Sequence, residues 1–152
     1  MSEEATGLVK RFVEAETIGD EATALGLLAV HRCEVAPTSD AIRPTVAVEL
    51  GEPTVSADTT RVPVRYFVLG VSHVDEMGDA AARVKFVRSL EISADTFAVF
   101  RTPDERLWID CGPHAADHLG LVAMSKLERF MPDSSLGEWR AALADARVRK
   151  WY

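Results

Sequence analysis

The apolar residues of this chain change their spacing twice, and that change constrains the fold more than any other feature of the sequence. Over residues 7–30 they recur every three or four positions, the spacing of amphipathic helices. Between residues 45 and 111 they mostly alternate with a period of two, which is typical of strands. From residue 119 the helical spacing returns. The sequence therefore predicts an α+β fold, with helices first, an antiparallel sheet in the middle and helices at the end.

The opening of the chain predicts two short helices. Residues 7–18 carry an apolar stripe, and Gly19 is a natural residue at a helix C-terminus. Asp20 is a favourable N-cap for a second helix over residues 21–30. Two helices are thus expected to meet at a Gly-Asp corner. After the loop that follows, residues 40–43 are compatible with one further helical turn.

Turn-forming residues divide the middle of the chain into predicted strands. The clearest strand covers residues 61–71, where two sets of side chains alternate. Residues 84–92 and 96–101 form two further strands, separated by a turn at Ser93-Ala94-Asp95. Residues 107–111 form the last strand. Strands that follow one another and are joined by turns favour an antiparallel meander.

Two more helices are predicted toward the end of the sequence. Asp117 suits the first turn of one helix, because acidic residues are favourable there. Asp133, or Ser134 or Ser135, is expected to cap the other helix, which carries Trp139 and leads to Trp151 and Tyr152. These aromatic residues have two interpretations of about equal weight. Either the last helix docks on its own domain, or its aromatic residues form a surface for a second copy or another partner.

Three features in this order resemble the nuclear transport factor 2-like superfamily. They are the helix pair VKRFVEAETIGDEATALGLLA, the long run of strands, and the hairpin FAVFRTPDERLWID. The resemblance covers residues 7–112 and implies a cone-shaped α+β fold, in which a strongly curved antiparallel sheet wraps around the N-terminal helices. It also implies an apolar cavity and a homodimer. Residues 113–152 add a helical extension, and no linker divides the chain, so we expect one domain over residues 1–152.

The resemblance does not imply one activity, because the superfamily includes isomerases, polyketide cyclases, hydrolases and noncatalytic binding domains. Its enzymes place a carboxylate, often with a Tyr or His, in an apolar cavity that raises the carboxylate's proton affinity. Polar-tipped or aromatic residues on or near the predicted strands are the corresponding candidates here. The candidate catalytic residues are Tyr66, Asp110 and His114, and the candidate ligand-binding residues are Tyr66, Arg88, Phe86 and Trp108.

Each polar candidate also has an ordinary structural interpretation. Tyr66 is compatible with an aromatic residue at the sheet surface whose hydroxyl reaches solvent. Arg88 is compatible with an ion pair at the rim of the sheet, and Asp110 with a turn cap. The deep Asp that characterises the isomerases is not identifiable. We therefore expect a noncatalytic module that binds a small apolar ligand or another protein, with an isomerase-, cyclase- or hydrolase-like enzyme as the alternative.

Two patterns approach the spacing of metal ligands. His114 and His118 are four residues apart, as in paired ligands on one helix face, but no Glu of a metalloprotease motif accompanies them. His31, Cys33, Cys111 and His114 contain the residue types of a zinc site, with tighter spacing than usual. Neither pattern is strong, so we expect no metal. Buried thiols are the first interpretation of the two cysteines, and a disulfide between them stays open.

Charge and composition bound the partners and the compartment. The formal net charge of −7 disfavours nucleic acid, because an acidic surface repels phosphate. The sequence contains no apolar run of the roughly 20 residues that a membrane span needs. Its first residues are acidic where a signal peptide would be basic. No nucleotide-binding motif is present, so no cofactor is expected. The sequence predicts a soluble cytoplasmic protein that binds neither nucleic acid nor membrane.

Overall fold

A computed structural model of the chain describes residues 2–29, 41–75, 83–110 and 117–152. The helices in it are α1 (Ser2–Ile18), α2 (Glu21–Leu27), α3 (Leu121–Ser125), a 3₁₀ turn (Glu128–Phe130) and α4 (Asp133–Val148). The strands are β1 (Ala41–Leu50), β2 (Thr54–Ser56), β3 (Thr59–Asp75), β4 (Arg83–Arg101), β5 (Leu107–Ile109) and β6 (Asp117–Leu119).

The predicted α+β class is confirmed: N-terminal helices are followed by a strongly curled sheet and then by C-terminal helices. The strands lie in the order β5-β4-β3-β1-β6, and β2 pairs with β3. The described β2–β3 and β4–β5 pairs are antiparallel. β6 runs parallel to β1, with His118 opposite Arg43. The sheet is therefore mixed, because the chain returns after β5 and places a short strand beside β1.

Three local predictions were wrong. Residues 41–43 are extended in β1 and form no helical turn. Asp117 begins β6 and does not begin a helix. β4 runs unbroken from Arg83 to Arg101, through the turn predicted at Ser93. For the first two, the pairing of β1 with β6 holds the backbone extended, and local sequence does not predict such a long-range pairing.

The predicted Gly-Asp corner between the two N-terminal helices is confirmed, whereas α2 ends at Leu27, short of the predicted residue 30. α1 begins at Ser2, upstream of the predicted start, and the Thr6 hydroxyl donates a hydrogen bond to the Ser2 carbonyl at 2.8 Å. Asp20 is confirmed as the N-cap of α2, because its carboxylate accepts from the Thr23 N–H at 3.2 Å and from the Thr23 hydroxyl at 2.6 Å. These bonds, the hydroxyl's first, hold the pKa of the Asp20 carboxyl below its ordinary value.

The described chain divides into two compact units, which do not follow the predicted boundary at residue 112. Unit 1 comprises Met1–Thr38, Val48–Arg65 and Ala94–His114, and unit 2 comprises Ser39–Ala47, Tyr66–Ser93 and Ala115–Tyr152. The expectation of a single domain remains a prediction.

Unit 1 packs the N-terminal helices on the last part of β4 and on β5. The rings of Phe12 and Phe97 lie 5.3 Å apart at their centroids, and both side chains are buried. The Ala29 N–H donates to the carbonyl of buried Ile109 at 2.8 Å. These contacts join the end of the helical segment to the last strand of the unit.

Unit 2 has a core formed by β3, β4 and the C-terminal helices. Its fully or nearly fully buried members are Leu69, Val84, Phe86, Met124, Met131, Trp139, Ala142 and Ala146. Trp139 is only 1% exposed and meets Phe86 edge-on, with ring centroids 5.3 Å apart. Its indole N–H donates to the Glu128 carboxylate at 2.9 Å. Trp151, at the end of the chain, meets Phe67 edge-on at 5.3 Å. α4 thus docks within unit 2, which is the first of the two interpretations given above for the aromatic residues of the last helix.

Candidate functional site

The best-defined polar contact in unit 2 is a stacked ring pair formed by Tyr66 and His118. The ring centroids are 3.7 Å apart and the planes differ by 10°. Tyr66 is 0% exposed and His118 is 7% exposed. The two rings meet although β1 separates their strands in the sheet. Tyr66 is therefore a buried residue and not an aromatic residue at the sheet surface.

The Tyr66–His118 pair places two groups that can carry a proton in one buried contact. A phenol donates or accepts a hydrogen bond, and an imidazole does both through its two nitrogens. The sequence analysis identified Tyr66 as a candidate residue, but it included His118 only as a possible metal ligand four residues after His114. The missing signal was the parallel pairing of β6 with β1, which no local spacing reveals.

Phe86 and Arg88, two residues apart on β4, lie in different environments. Phe86 is 3% exposed and belongs to the core beneath α4. Arg88 is exposed, and its Nε lies 3.7 Å from a carboxylate oxygen of Glu138. This contact is the kind of ion pair at the rim of the sheet that was given above as the ordinary structural interpretation of Arg88. Arg88 therefore does not share the buried surroundings of Tyr66.

Trp108 and Asp110 lie in unit 1. Trp108 is half-buried on β5, with the Arg106 guanidinium 4.7 Å from its ring centroid. Asp110 directly follows β5, and its backbone N–H donates to the Ala98 carbonyl at 2.8 Å. The third catalytic candidate, His114, lies outside the described residues. The catalytic and ligand-binding roles of all these residues stay predictions.

The predicted metal-ligand patterns fall mostly outside the described residues. His31, Cys33, Cys111 and His114 are not described, so His118 is the single member of either pattern with a known environment. Across the ranges that are described, no group of three or more His, Cys, Asp or Glu side chains is arranged to hold a metal ion.

Strand β4 changes from core to surface within unit 2. Val84 and Phe86 are buried, whereas residues 87–92 are exposed on both faces of the strand, apart from half-buried Leu90. Two large apolar side chains lie in this stretch: Val87 is 64% exposed and Ile92 is 45% exposed. These two side chains are five residues apart and lie on opposite faces of the strand, so they do not form one apolar patch.

The backbone groups of every second residue in this stretch face away from β3. The Phe86 N–H donates to the Ser135 hydroxyl of α4 at 3.1 Å, so residue 86 points outward. The Val87 carbonyl faces β3, because a Cβ added to Gly70 of β3 would lie 2.1 Å from it. Backbone groups alternate sides along a strand, so Arg88, Leu90 and Ile92 point away from β3. We call the backbone groups of these three residues the open edge.

Little of the described chain covers this side of β4. In the described ranges the strand on that side is β5, and it pairs only with Val99, Phe100 and Arg101. Ser135 closes the edge at Phe86. The charges beside the open edge are already paired, since Arg88 meets Glu138 and Glu91 meets Arg43 at 2.7 Å.

Comparison of the sequence with models of known protein families gives no match. Comparison with curated proteins likewise gives no significant match. Among the residues that the structure describes, no helix combines the length and the apolar character needed to span a membrane.

Proposed function

We propose that this chain is a noncatalytic protein-interaction module that binds an extended polypeptide segment along the open edge of β4. The outward backbone groups of Arg88, Leu90 and Ile92 carry this proposal. Unpaired N–H and C=O groups at a sheet edge form a template for another strand, and main-chain hydrogen bonds to such an edge are a common mode of peptide recognition. Val87 and Ile92 offer apolar contacts on the two faces of that strand.

The charges near the open edge do not protect it as edge charges often do. Natural edge strands avoid unwanted pairing by presenting charged side chains. Here Arg88 is held toward Glu138 of α4, and Glu91 is held toward Arg43 of β1. Both charges therefore have a partner in the same unit, and the Arg88 pair is the weaker one because its atoms are 3.7 Å apart and exposed.

Other predicted binding surfaces have weaker support. Trp139 packs inside unit 2 and Trp151 packs on Phe67, so these aromatic residues are used within the chain. Tyr66 and Phe86, proposed for a small apolar ligand, also pack on neighbours in the unit. We further propose that the fold is of the nuclear transport factor 2-like type, which the curled sheet after N-terminal helices supports, and that the chain is cytoplasmic.

Amide hydrogen exchange of the dilute chain, followed residue by residue by NMR, tests the proposed edge. We expect fast exchange at Arg88, Leu90 and Ile92, whose N–H groups face outward. Ser89 and Glu91 are matched internal controls, because their N–H groups face β3 and are expected to exchange slowly. Equal protection of both sets in the dilute chain would show that the edge is already covered, and the proposal would be wrong.

A second candidate function is the acid/base enzyme, and the buried Tyr66–His118 pair is the observation that favours it. In such an enzyme His118 would take or give a proton, while the Tyr66 hydroxyl would donate a hydrogen bond to a developing oxyanion. The anion of 4-nitrophenol serves as a probe that resembles an enolate. This alternative predicts saturable binding that Tyr66→Phe weakens at least tenfold, and it fails if the wild-type chain binds no 4-nitrophenolate.

A further inference from the structure

We infer that the C-terminal end of α4 binds a short acidic polypeptide segment through Arg147, Arg149 and Lys150, which we call the basic tip. The side chains of all three residues are exposed. The inference goes beyond the proposed function, because the basic tip uses charged side chains, whereas the open edge uses backbone groups of β4. Either surface can therefore fail its own test without the other.

The basic tip is held in place by the way the chain folds back after α4. The Trp151 N–H donates to the Ala146 carbonyl at 3.0 Å, and the Lys150 N–H donates to the Arg147 carbonyl at 3.0 Å. This pair of bonds is the Schellman arrangement that ends many helices. Trp151 then packs edge-on against Phe67 of β3, with ring centroids 5.3 Å apart. Because the backbone of the tip is already ordered, a partner that binds there has little of it left to immobilise.

Two of the three cations lie over aromatic rings. The Arg147 guanidinium lies 5.5 Å from the Tyr152 ring centroid, and the Arg149 guanidinium lies 5.5 Å from the Trp151 ring centroid. Tyr152 is itself held, since its hydroxyl donates to the Leu143 carbonyl at 3.3 Å. A guanidinium over the face of a ring keeps the N–H groups at its edge available for a carboxylate, which it binds through two parallel hydrogen bonds.

The described part of the chain provides no carboxylate that neutralises the basic tip. In unit 2, Arg43 and Arg88 each have a carboxylate partner at 3.7 Å or closer. Across the ranges that the structure describes, Arg147, Arg149 and Lys150 form no such ion pair. The helix dipole favours cations at this end of α4, but three cations within four residues also repel one another. An anionic partner offsets that repulsion.

The backbone of Lys150 is a second unfavourable feature of the same surface. Its φ is 58°, in the left-handed region that glycine usually occupies where a helix ends in this way. A residue with a Cβ is destabilising in that conformation, so stability alone favours glycine here. Backbone strain of this kind is concentrated at binding sites. Two features that each lower stability therefore coincide at the basic tip, which is the combination expected of a functional surface.

The charge of the whole chain decides which kind of anion fits the basic tip. The formal net charge is −7, so an extended polyanion such as nucleic acid would meet repulsion beyond the tip. A short acidic segment can contact the tip alone, and its carboxylates match the guanidinium groups of Arg147 and Arg149. Exposed ion pairs are weak, so we expect a dissociation constant of about 0.1–1 mM at low salt that increases as salt is added.

Titration with a blocked hexaglutamate peptide, followed by NMR through the backbone N–H signals of the basic tip, tests the inference. We expect saturable shifts, which a neutral hexaglutamine peptide does not produce. Arg147→Gln combined with Arg149→Gln is expected to raise the dissociation constant at least about fivefold. Arg129→Gln is the matched control, because Arg129 lies over the Phe130 ring at 4.6 Å but outside the basic tip, and less than about a twofold change is expected. Equal losses in these variants, or no saturation up to about 10 mM hexaglutamate, would overturn the inference.

Lys150→Gly separates binding from folding. Glycine suits the left-handed backbone, so the urea midpoint is expected to rise, while the lost charge weakens hexaglutamate binding at least about twofold. A higher midpoint with unchanged binding would show that Lys150 has no part in the binding surface.

A single-stranded oligonucleotide of the same charge provides the last comparison. Weaker binding of the oligonucleotide than of hexaglutamate at about 0.15 M salt supports a polypeptide partner. Tighter binding of the oligonucleotide would make nucleic acid the partner and overturn the inference.

Discussion

Two adjacent stretches of β4 both contain apolar residues but differ in how far those residues are covered. Residues 84–86 alternate in the ordinary way, with Val84 and Phe86 buried and Lys85 exposed. In residues 87–92, Val87 and Ile92 are exposed, and only Leu90 packs partly against the core. The difference is the cover that α4 provides, which reaches the edge at Ser135 and the strand face at Phe86. Tertiary cover, and not composition, therefore decides which part of this strand becomes core.

The covered stretch depends most on Trp139, and truncating it is the largest expected effect. Trp139→Ala removes a side chain that is 1% exposed and leaves the Glu128 carboxylate without its indole partner. A buried aromatic truncation of this kind costs about 3–5 kcal/mol of unfolding free energy. Urea unfolding measures it. Trp151→Ala is the matched control, since Trp151 is only half-buried, and a larger loss in that variant would contradict this account of the core.

Gly70 marks where β3 comes close to the boundary between the two stretches. A Cβ at this position would lie 2.1 Å from the Val87 carbonyl and 2.9 Å from the Phe86 ring. Gly70→Ala therefore forces the backbone apart, and we expect a loss of about 1–3 kcal/mol in urea unfolding.

Gly137 supplies the opposite control for that substitution. Gly137 lies in α4, and a Cβ there would meet nothing within 4 Å. Gly137→Ala is expected to stabilise the chain by up to about 1 kcal/mol, because alanine favours the helix. Destabilisation of similar size in both variants would show that crowding at Gly70 is not the cause.

Ser135 closes the covered stretch, and its removal is expected to have a smaller effect than Trp139→Ala and one similar to Gly70→Ala. Ser135→Ala leaves the Phe86 N–H without its buried acceptor, which costs about 1–3 kcal/mol unless water replaces the hydroxyl. Hydrogen exchange at Phe86 is the direct measurement, and it is expected to accelerate. Ser134→Ala, the exposed neighbour, should leave both stability and exchange unchanged. If the exchange rate of the Phe86 N–H is unchanged in Ser135→Ala, then Ser135 does not mark the end of the open edge.

Local sequence signals predicted most of the helices and strands. The features that they missed depend on contacts between distant parts of the chain. The Asp20 cap follows from capping chemistry and is present. The last helix follows from periodicity, but its N-cap is Pro132, without a side-chain capping bond, so the predicted cap at Asp133, Ser134 or Ser135 was wrong. The contact of Tyr66 with His118 did not follow, because it needs β6 to return beside β1. The open edge could not be predicted from the sequence either. The alternation of residues along β4 predicts which face of the strand is apolar, but it does not predict where α4 stops covering that strand.

The ion pair between Arg88 and Glu138 lies on the boundary itself, and its loss is expected to have the smallest effect. The closest atoms are 3.7 Å apart, and the side chains are 42% and 48% exposed, so water and salt screen the attraction. Glu138→Gln keeps the shape of the side chain and is expected to change the free energy of unfolding by less than about 0.5 kcal/mol, with the difference disappearing at 1 M salt. A loss above 1 kcal/mol that persists in salt would mean that this pair is buried and that the cover of α4 extends past Phe86. In that case Arg88 would belong to the core, and the open edge would begin closer to Ile92 than the exposure of Arg88 indicates.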